Sequence, residues 1–87
     1  MTPTKVSVVT VCYNCDKLLQ KTIINVLRQT YKNLEYIIID GASTDSTAQV
    51  IETFRPHLTT VVSEPDRGIY DAMNKGVRLA TGEWVIF

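Results

Sequence analysis

The segment Leu34-Glu35-Tyr36-Ile37-Ile38-Ile39-Asp40 decides the fold class of this chain. Its nearly continuous apolar run predicts a strand that is buried on both faces, as in parallel sheets that helices cover on each side. A carboxylate, Asp40, closes the run. Because a buried carboxylate is costly unless it is hydrogen-bonded, the strand is predicted to end at a polar edge.

Strands and helices alternate on both sides of this segment. Runs rich in apolar and β-branched residues predict further strands at 5–13, 58–63 and 83–87. Apolar residues at helical spacing predict helices from residue 16 to about residue 30, at 47–54 and at 69–80. This alternation indicates an α/β fold, a three-layer Rossmann-like sandwich in which helices cover both faces of a parallel sheet.

The connections restrict how the strands can be arranged, because crossovers between parallel strands are right-handed. We predict one domain over residues 1–87 with the strand order 3-2-1-4. In this order, strands 2 and 3 lie on one side of strand 1 and strand 4 lies on its other side, so the topology switches between strands 1 and 4. Ligands of such sheets bind beyond the carboxyl ends of the strands, near this switch point.

Local signals predict where the helices begin and end. Asn14 or Asp16 carries a side-chain oxygen that can cap the first helix. The second helix begins with Ser46-Thr47-Ala48-Gln49, which fits the S-x-x-Q capping box, and Pro56 ends it. Gly82 follows the third helix and is predicted to be its left-handed C-cap residue.

The composition disfavours several classes of function. The hydrophobic share is 45%, and nine basic residues balance nine acidic ones. Without a basic tract, nucleic acid is not an expected partner. No apolar run approaches the ~18–20 residues that span a bilayer, and no signal-like segment precedes the first strand. We expect a cytoplasmic chain, or one at the inner face of the membrane if a segment outside these residues tethers it.

Polar side chains follow three of the predicted strands. Strand 1 ends in Tyr13-Asn14, strand 2 runs from Asp40 into Ser43, and strand 3 leads to Asp66-Arg67. Parallel strands bring all of them to one edge of the sheet. Neither G-x-G-x-x-G nor G-x-x-x-x-G-K-[ST] occurs in the sequence, which disfavours dinucleotide oxidoreductases and P-loop NTPases.

Each of these side chains has a ligand role and a structural alternative. Asp40 could accept hydrogen bonds from a base or from ribose hydroxyls, or it could bind loop N–H groups or cap a helix in the segment from Ser43. Tyr13 could stack under a base, or it could cover the rim of the core. Arg67 could pair with a carbonyl or a phosphate, or it could form a salt bridge with Asp66 or Asp71.

The motif Cys12-Tyr13-Asn14-Cys15 offers an alternative from another class, a thiol redox domain of the thioredoxin kind. A helix N-terminus lowers a thiol pKa, which would be the basis of that chemistry. Cys12, however, continues the apolar register of strand 1 and is predicted to be a core residue. None of the three prolines is placed as a thioredoxin cis-proline would be. Only His57 could join the cysteines in a zinc site, so no metal site is predicted.

Five segments stand in a recognisable order and spacing along the chain. They are Val8-Val9-Thr10-Val11-Cys12-Tyr13-Asn14, Gln29-Thr30-Tyr31-Lys32-Asn33-Leu34-Glu35, the Ser/Thr-rich loop after Asp40, Ser63-Glu64-Pro65-Asp66-Arg67-Gly68-Ile69-Tyr70-Asp71-Ala72-Met73-Asn74-Lys75-Gly76 and Ala80-Thr81-Gly82-Glu83-Trp84-Val85. Together they resemble the family 2 glycosyltransferases of the GT-A fold, which use nucleotide-sugars and invert the anomeric centre. The resemblance covers nearly the whole chain.

The resemblance implies a nucleotide site and a donor. It places Thr10 to Tyr13 along the base, Asp40 at the base edge, Asp66 and Arg67 near the base and phosphates, and Asn74 on a helix that lines the cleft. The implied donor is a nucleotide diphospho-sugar, with UDP expected. The implied acceptor is a glycan or lipid-linked hydroxyl, in glycan or cell-envelope polysaccharide synthesis.

The sequence departs from the family pattern because it contains no D-x-D motif and no catalytic base. We expect the full-length protein to use Mn²⁺ or Mg²⁺, whereas these residues hold nucleotide, bind no metal and do not catalyse transfer. The sequence thus predicts an incomplete, truncated GT-A domain. An uncovered edge of its sheet predicts a homodimer. A binding module that catalyses nothing in any context is the remaining alternative.

Overall fold

The computed structural model describes residues 4–29 and 31–87 of the chain. It confirms an all-parallel sheet in the order β3-β2-β1-β4. The elements along the chain are β1 Val6–Cys12, α1 Asp16–Leu27, β2 Leu34–Asp40, α2 Thr47–Phe54, a 3₁₀ turn Arg55–His57, β3 Thr60–Ser63, α3 Ile69–Leu79 and β4 Trp84–Ile86.

The register of the sheet aligns the carboxyl ends of three strands. Cys12 of β1 pairs with Asp40 of β2, and Asp40 pairs with Ser63 of β3. Strand β4 pairs with the first half of β1, where Val6 lies beside Trp84. Three neighbouring strands therefore deliver their last side chains to one edge, as the sequence predicted.

Two separate cores flank the sheet and give the three layers. On one face, α1 and α2 pack through Leu19, Ile23 and Ile51 against Tyr36 and Ile38 of β2. The other core consists of residues from β1, β2 and α3: Val9, Ile37, Ile39 and Ala72. Burial of β2 on both faces confirms the prediction made from its continuous apolar run, since every residue from Glu35 to Asp40 is buried.

Helix α3 approaches β1 unusually closely. A Cβ atom added at Gly76 would lie 2.4 Å from Val9 Cγ1, well below any normal contact distance. Gly76 is therefore required where the helix backbone meets the strand. Among residues 4–29 and 31–87, no helix combines the length and apolar character needed to cross a membrane.

The predicted helix ends differ from the structure at several points. Helix α1 ends at Leu27, and the predicted last residue, Thr30, lies outside the described residues. Neither Asn14 nor Asp16 is the N-cap of α1, because that position is Cys15, which makes no side-chain capping bond. The oxygen of Asp16 instead accepts the N–H of Lys17 at 2.8 Å, inside the first turn.

The predicted capping box of α2 is wrong. Ser46 makes no side-chain capping bond. Asp45, one residue earlier, accepts hydrogen bonds from the backbone N–H of Thr47 at 2.9 Å and from its hydroxyl. The other oxygen of Asp45 accepts the N–H of Asp16 at 3.4 Å, so one carboxylate serves the starts of two helices. These hydrogen bonds, chiefly that from the Thr47 hydroxyl, hold the pKa of Asp45 below its usual value.

Gly82 is not the left-handed cap of α3. The capping position is Ala80, which has extended backbone angles, and Gly68 is the glycine with positive φ among the described residues. Gly82 has a different reason to be glycine. A Cβ there would lie 2.7 Å from Ser7 Oγ and 2.8 Å from the carbonyl oxygen of Lys5, so the turn before β4 lies directly against β1.

Candidate functional site

A groove of about 410 Å³ opens at the carboxyl end of β1. It lies between the end of this strand and the start of α3. Its lining residues come from these two elements and the loops beside them: Val11, Cys12, Tyr13, Cys15, Asp66, Gly68, Ile69 and Ala72. The groove combines an apolar floor with one aromatic ring and one carboxylate, which is a usual composition for a small-molecule site.

Tyr13 is the aromatic residue of this groove. It directly follows β1, and its side chain is 60% exposed. A buried rim aromatic would be mostly covered, so the exposure favours the stacking role over the structural alternative. An exposed ring of this kind can stack on any base, because every base offers a π-face.

Asp66 is the carboxylate of the groove and is half-buried. Its Oδ1 accepts the N–H of Gly68 at 3.1 Å, across a turn in which Gly68 has φ of 115°. A Cβ atom at Gly41 would lie 2.8 Å from Oδ2, so the carboxylate rests directly on the loop that follows β2. The loops after β2 and β3 therefore meet at Asp66.

Asp40 lies beneath this edge and is 1% exposed. Its Oδ1 accepts the hydroxyl of Ser43 at 2.5 Å, and its Oδ2 accepts the hydroxyl of Ser63 at 2.9 Å. The Ser43 N–H lies 3.3 Å from both oxygens. Bonding to loop groups, which was the structural alternative, is thus present. The predicted contact of Asp40 with a base stays a prediction.

Asn14 and Ser43 join the loops after β1 and β2. The N–H of Asn14 donates to Ser43 Oγ at 2.8 Å, and Asn14 Oδ1 accepts the N–H of Thr44 at 2.7 Å. Asn14 has φ of 50° and Ala42 has φ of 63°. Two left-handed residues in facing loops indicate a constrained edge, because such conformations persist only where the surroundings hold them.

Arg67 lies beside the groove with an exposed side chain. Its backbone N–H donates to Asp71 Oδ2 at 2.9 Å. Within residues 4–29 and 31–87, its guanidinium forms no ion pair, so the predicted alternative of a salt bridge to Asp66 or Asp71 is wrong. The guanidinium remains available for an anionic ligand.

Lys75 holds the loop that carries Asp66 and Arg67. Its ammonium donates to the carbonyl oxygen of Pro65 at 3.1 Å and lies 3.2 Å from a carboxylate oxygen of Glu64. The lysine side chain is only 15% exposed. A partly buried charge with these partners stabilises the loop between β3 and α3.

The structure does not bring Thr10 or Asn74 to the groove. Thr10 lies within β1, and its hydroxyl is 2.9 Å from the hydroxyl of Tyr36 on the α1 side of the sheet. Asn74 is exposed on α3, two residues after buried Ala72 and thus on nearly the opposite side of the helix. Their roles at the nucleotide stay predictions that this geometry does not favour.

Cys12, the first cysteine of the C-x-x-C motif, is unsuited to redox chemistry. Cys12 is buried, and its thiol lies 3.8 Å from Asp40 Oδ1. Burial, followed by the charge of Asp40, raises the pKa of Cys12 to about 12. A thiol that stays protonated is neither a nucleophile nor a metal ligand, so the thioredoxin-like alternative loses its chemical basis.

The described residues offer no cluster of side chains that would bind a divalent cation by themselves. Within residues 4–29 and 31–87, no three His, Cys, Asp or Glu side chains cluster as metal ligands would. The carboxylate of Asp40 is already bonded to two serine hydroxyls, and that of Asp66 rests on Gly41.

A second groove, of about 460 Å³, lies on the α1 side of β1 and β4. It has no charged residue: its lining is Val6, Val8, Thr10, Thr22, Asn25, Val26, Gln29, Tyr31, Leu34, Ile86 and Phe87. Although it is slightly larger, it has no charged group and includes Val6 and Leu34 at the amino ends of β1 and β2, away from the carboxyl edge where such sheets bind ligands. The groove with Tyr13 and Asp66 is therefore the candidate site.

The sequence matches a known family over most of its length. The family described as Glycosyl transferase family 2 matches residues 7–87. This chain belongs to glycosyl transferase family 2. The resemblance drawn from five short segments is thereby confirmed, and so is the GT-A fold class that it implied.

Curated relatives of this family member are also glycosyltransferases. A PGL/p-HBAD biosynthesis glycosyltransferase of Mycobacterium tuberculosis is 37% identical over 84 residues, which cover 93% of this chain and 33% of the relative. An uncharacterized glycosyltransferase of the same species is 40% identical, covering 94% and 32%. The putative glycosyltransferase EpsE of Bacillus subtilis is 32% identical, covering 93% and 31%. The chain thus spans about a third of these relatives.

Solved structures show the same arrangement. A mannosyltransferase of Pyrobaculum calidifontis, in complex with GDP-Man and Mn²⁺, superposes with a TM-score of 0.87 and 33% identity. The match covers 97% of this chain and 26% of that one. Residues 1–349 of S. aureus TarS match with a TM-score of 0.81 and 27% identity, covering 93% and 26%.

Sequence reasoning found the aromatic ring and the carboxylate of the groove but missed their supports. Lys75 and the double-capping role of Asp45 had no assigned function. The apolar floor of Val11, Ile69 and Ala72 was predicted only as helix and strand packing. A signal for Lys75 existed, because it lies two turns after a loop with two acidic residues, Glu64 and Asp66.

Proposed function

We propose that this chain holds the nucleotide part of a nucleotide diphospho-sugar in the groove at the end of β1. The observation that carries the proposal is the exposed ring of Tyr13 beside the carboxylate of Asp66, at the carboxyl edge of a family 2 sheet. Its position beside β1, at the reversal between β1 and β4, is where open α/β sheets bind ligands.

The chemistry of the groove suits a nucleoside diphosphate. Tyr13 offers a stacking surface for the base, and Asp66 can accept hydrogen bonds from a base or ribose. The free guanidinium of Arg67 can pair with phosphate oxygens. UDP is the proposed nucleotide.

For the whole protein we propose transfer of a sugar from this donor to an acceptor hydroxyl in glycan or cell-envelope polysaccharide synthesis. Membership of the family and relatives with glycosyltransferase names support this activity. The complex of the related mannosyltransferase with GDP-Man and Mn²⁺ supports a nucleotide-sugar donor and a divalent cation. We assign the binding and orientation of the nucleotide to this chain, and the ligands of that cation to the rest of the longer protein.

A calorimetric titration of the 87-residue chain tests the nucleotide site. UDP, a UDP-sugar and GDP-mannose are added separately, with and without Mn²⁺. We expect UDP binding that Tyr13→Leu weakens by about 5- to 100-fold, the effect of losing one base stack. Tyr31→Leu changes an aromatic residue of the other groove and serves as the matched control. If no nucleotide binds, or if both variants bind UDP equally, the proposed site is wrong.

An activity assay tests whether this chain only binds the nucleotide while sugar transfer requires the longer protein. We expect no sugar transfer by the 87-residue chain, because transfer needs a base that deprotonates the acceptor and a group that neutralises the leaving diphosphate. A longer protein that contains this chain should transfer sugar from the nucleotide that binds here. Transfer by the 87-residue chain alone would contradict this assignment, and inactivity of the longer protein would favour a module that only binds.

A further inference from the structure

Asn14 lies between the aromatic residue of the groove and the neighbouring loop. Its side-chain oxygen accepts the N–H of Thr44 at 2.7 Å, the N–H of Asp45 at 3.4 Å and the Thr44 hydroxyl at 3.5 Å. Its own N–H donates to Ser43 Oγ at 2.8 Å. Because the oxygen accepts two backbone N–H groups, the orientation of the amide is fixed by its partners.

These bonds continue into the buried edge of the sheet. Ser43 receives the N–H of Asn14 and donates its hydroxyl to Asp40, and Asp40 accepts a second hydroxyl from Ser63. Asp40 is 1% exposed and occupies the end of the central strand β2. The chain of bonds therefore runs from β3 through β2 to the residue that follows Tyr13.

The backbone of Asn14 adds a second constraint. Its φ of 50° is left-handed, a conformation in which asparagine is favoured over most residues. This turn separates the end of β1 from the start of α1 at Asp16, and it directly follows Tyr13, which lines the groove. Without the bonds to loop 43–45, the turn would lose its support.

We propose that Asn14 is a positioning residue, which fixes the Tyr13 ring over the groove and makes no contact with the nucleotide. This inference rests on the proposed function, because it takes Tyr13 as the stacking residue. It revises the expectation that Asn14 binds the nucleotide directly. Only the amide nitrogen of its side chain would be left for such a contact.

A double-mutant cycle on UDP affinity distinguishes the two roles. The four proteins are the unchanged chain, Asn14→Ala, Tyr13→Leu and the double variant. We expect Asn14→Ala to weaken binding by about tenfold, part of the effect of losing a base stack. In the Tyr13→Leu background, Asn14→Ala should have little further effect on UDP affinity, because the ring that Asn14 positions is absent. Equal fold-losses in both backgrounds would show a direct contact and overturn the proposal.

A measurement on the free protein tests the positioning role of Asn14 independently of whether the groove binds a nucleotide. With ¹³C-labelled tyrosine, the ring signals of Tyr13 report its surroundings in the free protein. We expect them to shift and broaden in Asn14→Ala and to stay in place in Asn25→Ala, a control on α1. Unchanged Tyr13 signals in Asn14→Ala overturn the positioning role whether or not UDP binds. Shifted signals together with no binding of any nucleotide would support positioning and refute the proposed function.

Asn14→Gly guards against a variant that fails to fold. Glycine keeps the left-handed turn without strain while removing the side-chain amide with its acceptor oxygen. We expect its UDP affinity and Tyr13 signals to lie between those of the unchanged chain and Asn14→Ala. Affinity and signals equal to those of the unchanged chain would show that the side-chain oxygen has no positioning role.

Discussion

Glu35 is a buried carboxylate at the amino edge of the sheet, opposite the groove. Its oxygens accept the hydroxyl of Ser7 at 2.5 Å and the N–H and hydroxyl of Thr81 at 2.8 Å and 3.1 Å. The Ser7 hydroxyl oxygen in turn accepts the N–H of Gly82 at 2.9 Å. One carboxylate therefore ties β1, β2 and the turn before β4 together.

The charge of Glu35 should make stability depend on pH. Burial by itself raises the pKa of Glu35. The hydrogen bonds from Ser7 and Thr81 and the charge of Lys5 lower this pKa by more than burial raises it, so the folded pKa lies below its usual value. A carboxyl with a lowered folded pKa stabilises the fold above its unfolded pKa of about 4.3, and the gain is lost as pH falls through the folded value.

Glu35→Gln tests this charge. We expect it to lower the free energy of unfolding at pH 7 by about 1–3 kcal/mol, the value of hydrogen bonds to a charged group. Urea unfolding between pH 3 and pH 7 should show that the difference from the unchanged chain shrinks below about pH 4.3. Glu83→Gln, an exposed glutamate, is the control. A difference that stays constant with pH would contradict a role for the charge.

Cys12 and Cys15 should differ sharply in reactivity. With a pKa of about 12, Cys12 is a thiolate in only roughly one molecule in ten thousand at pH 8. Cys15 is half-buried and lines the groove. We expect iodoacetamide to label Cys15 first and Cys12 only at the rate of unfolding, measured by mass spectrometry on Cys12→Ser and Cys15→Ser. Equal labelling rates would contradict the protected state of Cys12.

The sequence predicted the groove residues that follow strand ends, but it did not predict the role of Asn14 or the position of Thr10. Tyr13 and Asp66 follow strand ends, and a parallel sheet brings strand ends together whatever their distance in sequence. Asn14 follows a strand end too, but its role depends on which hydrogen-bond partners face it across the edge. Thr10 lies on the face bonded to Tyr36, and a one-residue step along a strand changes the face.

At the scale of elements, the contact between α3 and β1 sets a requirement for glycine. Replacement of Gly76 by alanine would gain about 1 kcal/mol of helix propensity. The added Cβ, however, would lie 2.4 Å from the γ-carbon of Val9, a stiff side chain that is 1% exposed. Overpacking costs about 1–3 kcal/mol, and the severity of this overlap places it at the upper end.

We therefore expect Gly76→Ala to lower the free energy of unfolding by about 1–2 kcal/mol in urea titrations. The matched experiment repeats the change in a Val9→Ala background, where the clashing methyl groups are absent. There Gly76→Ala should be neutral or stabilising. A similar loss in both backgrounds would place the cause outside this contact.

Hydrophobic periodicity predicted the helices and strands well, because the spacing of apolar residues that distinguishes a strand from a helix is visible in the local sequence. All four strands, all three helices and their order are present. The caps were predicted less well, because a cap is decided by the partner that reaches a free N–H. Asp45 takes this role for α2 and also reaches Asp16, so Ser46 is not needed. Gly82 is explained by contact with β1, which no local signal reveals.

At the scale of the whole chain, β4 is an outer strand of the described sheet. This strand pairs only with β1 among the described strands, so its other side offers unpaired backbone groups. Trp84, Ile86 and Phe87 are 67%, 53% and 55% exposed beside it. Edge strands of this kind recruit other strands unless a charge, a proline or a covering element prevents it.

We expect the 87-residue chain to form a two-fold dimer in which the β4 edges of two copies pair antiparallel, because a two-fold axis presents the same edge from both sides. Light scattering over a concentration series should show the average mass rising from monomer to dimer. Ile86→Lys places a charge at the edge and should weaken the dimer at least about tenfold, or about 1.4 kcal/mol. Leu18→Lys changes an exposed leucine in the first turn of α1 and should leave association unchanged, since Leu18 is not part of β4 and does not line the groove beside it. A monomer at every concentration, or equal weakening by both lysines, would show that β4 does not mediate association.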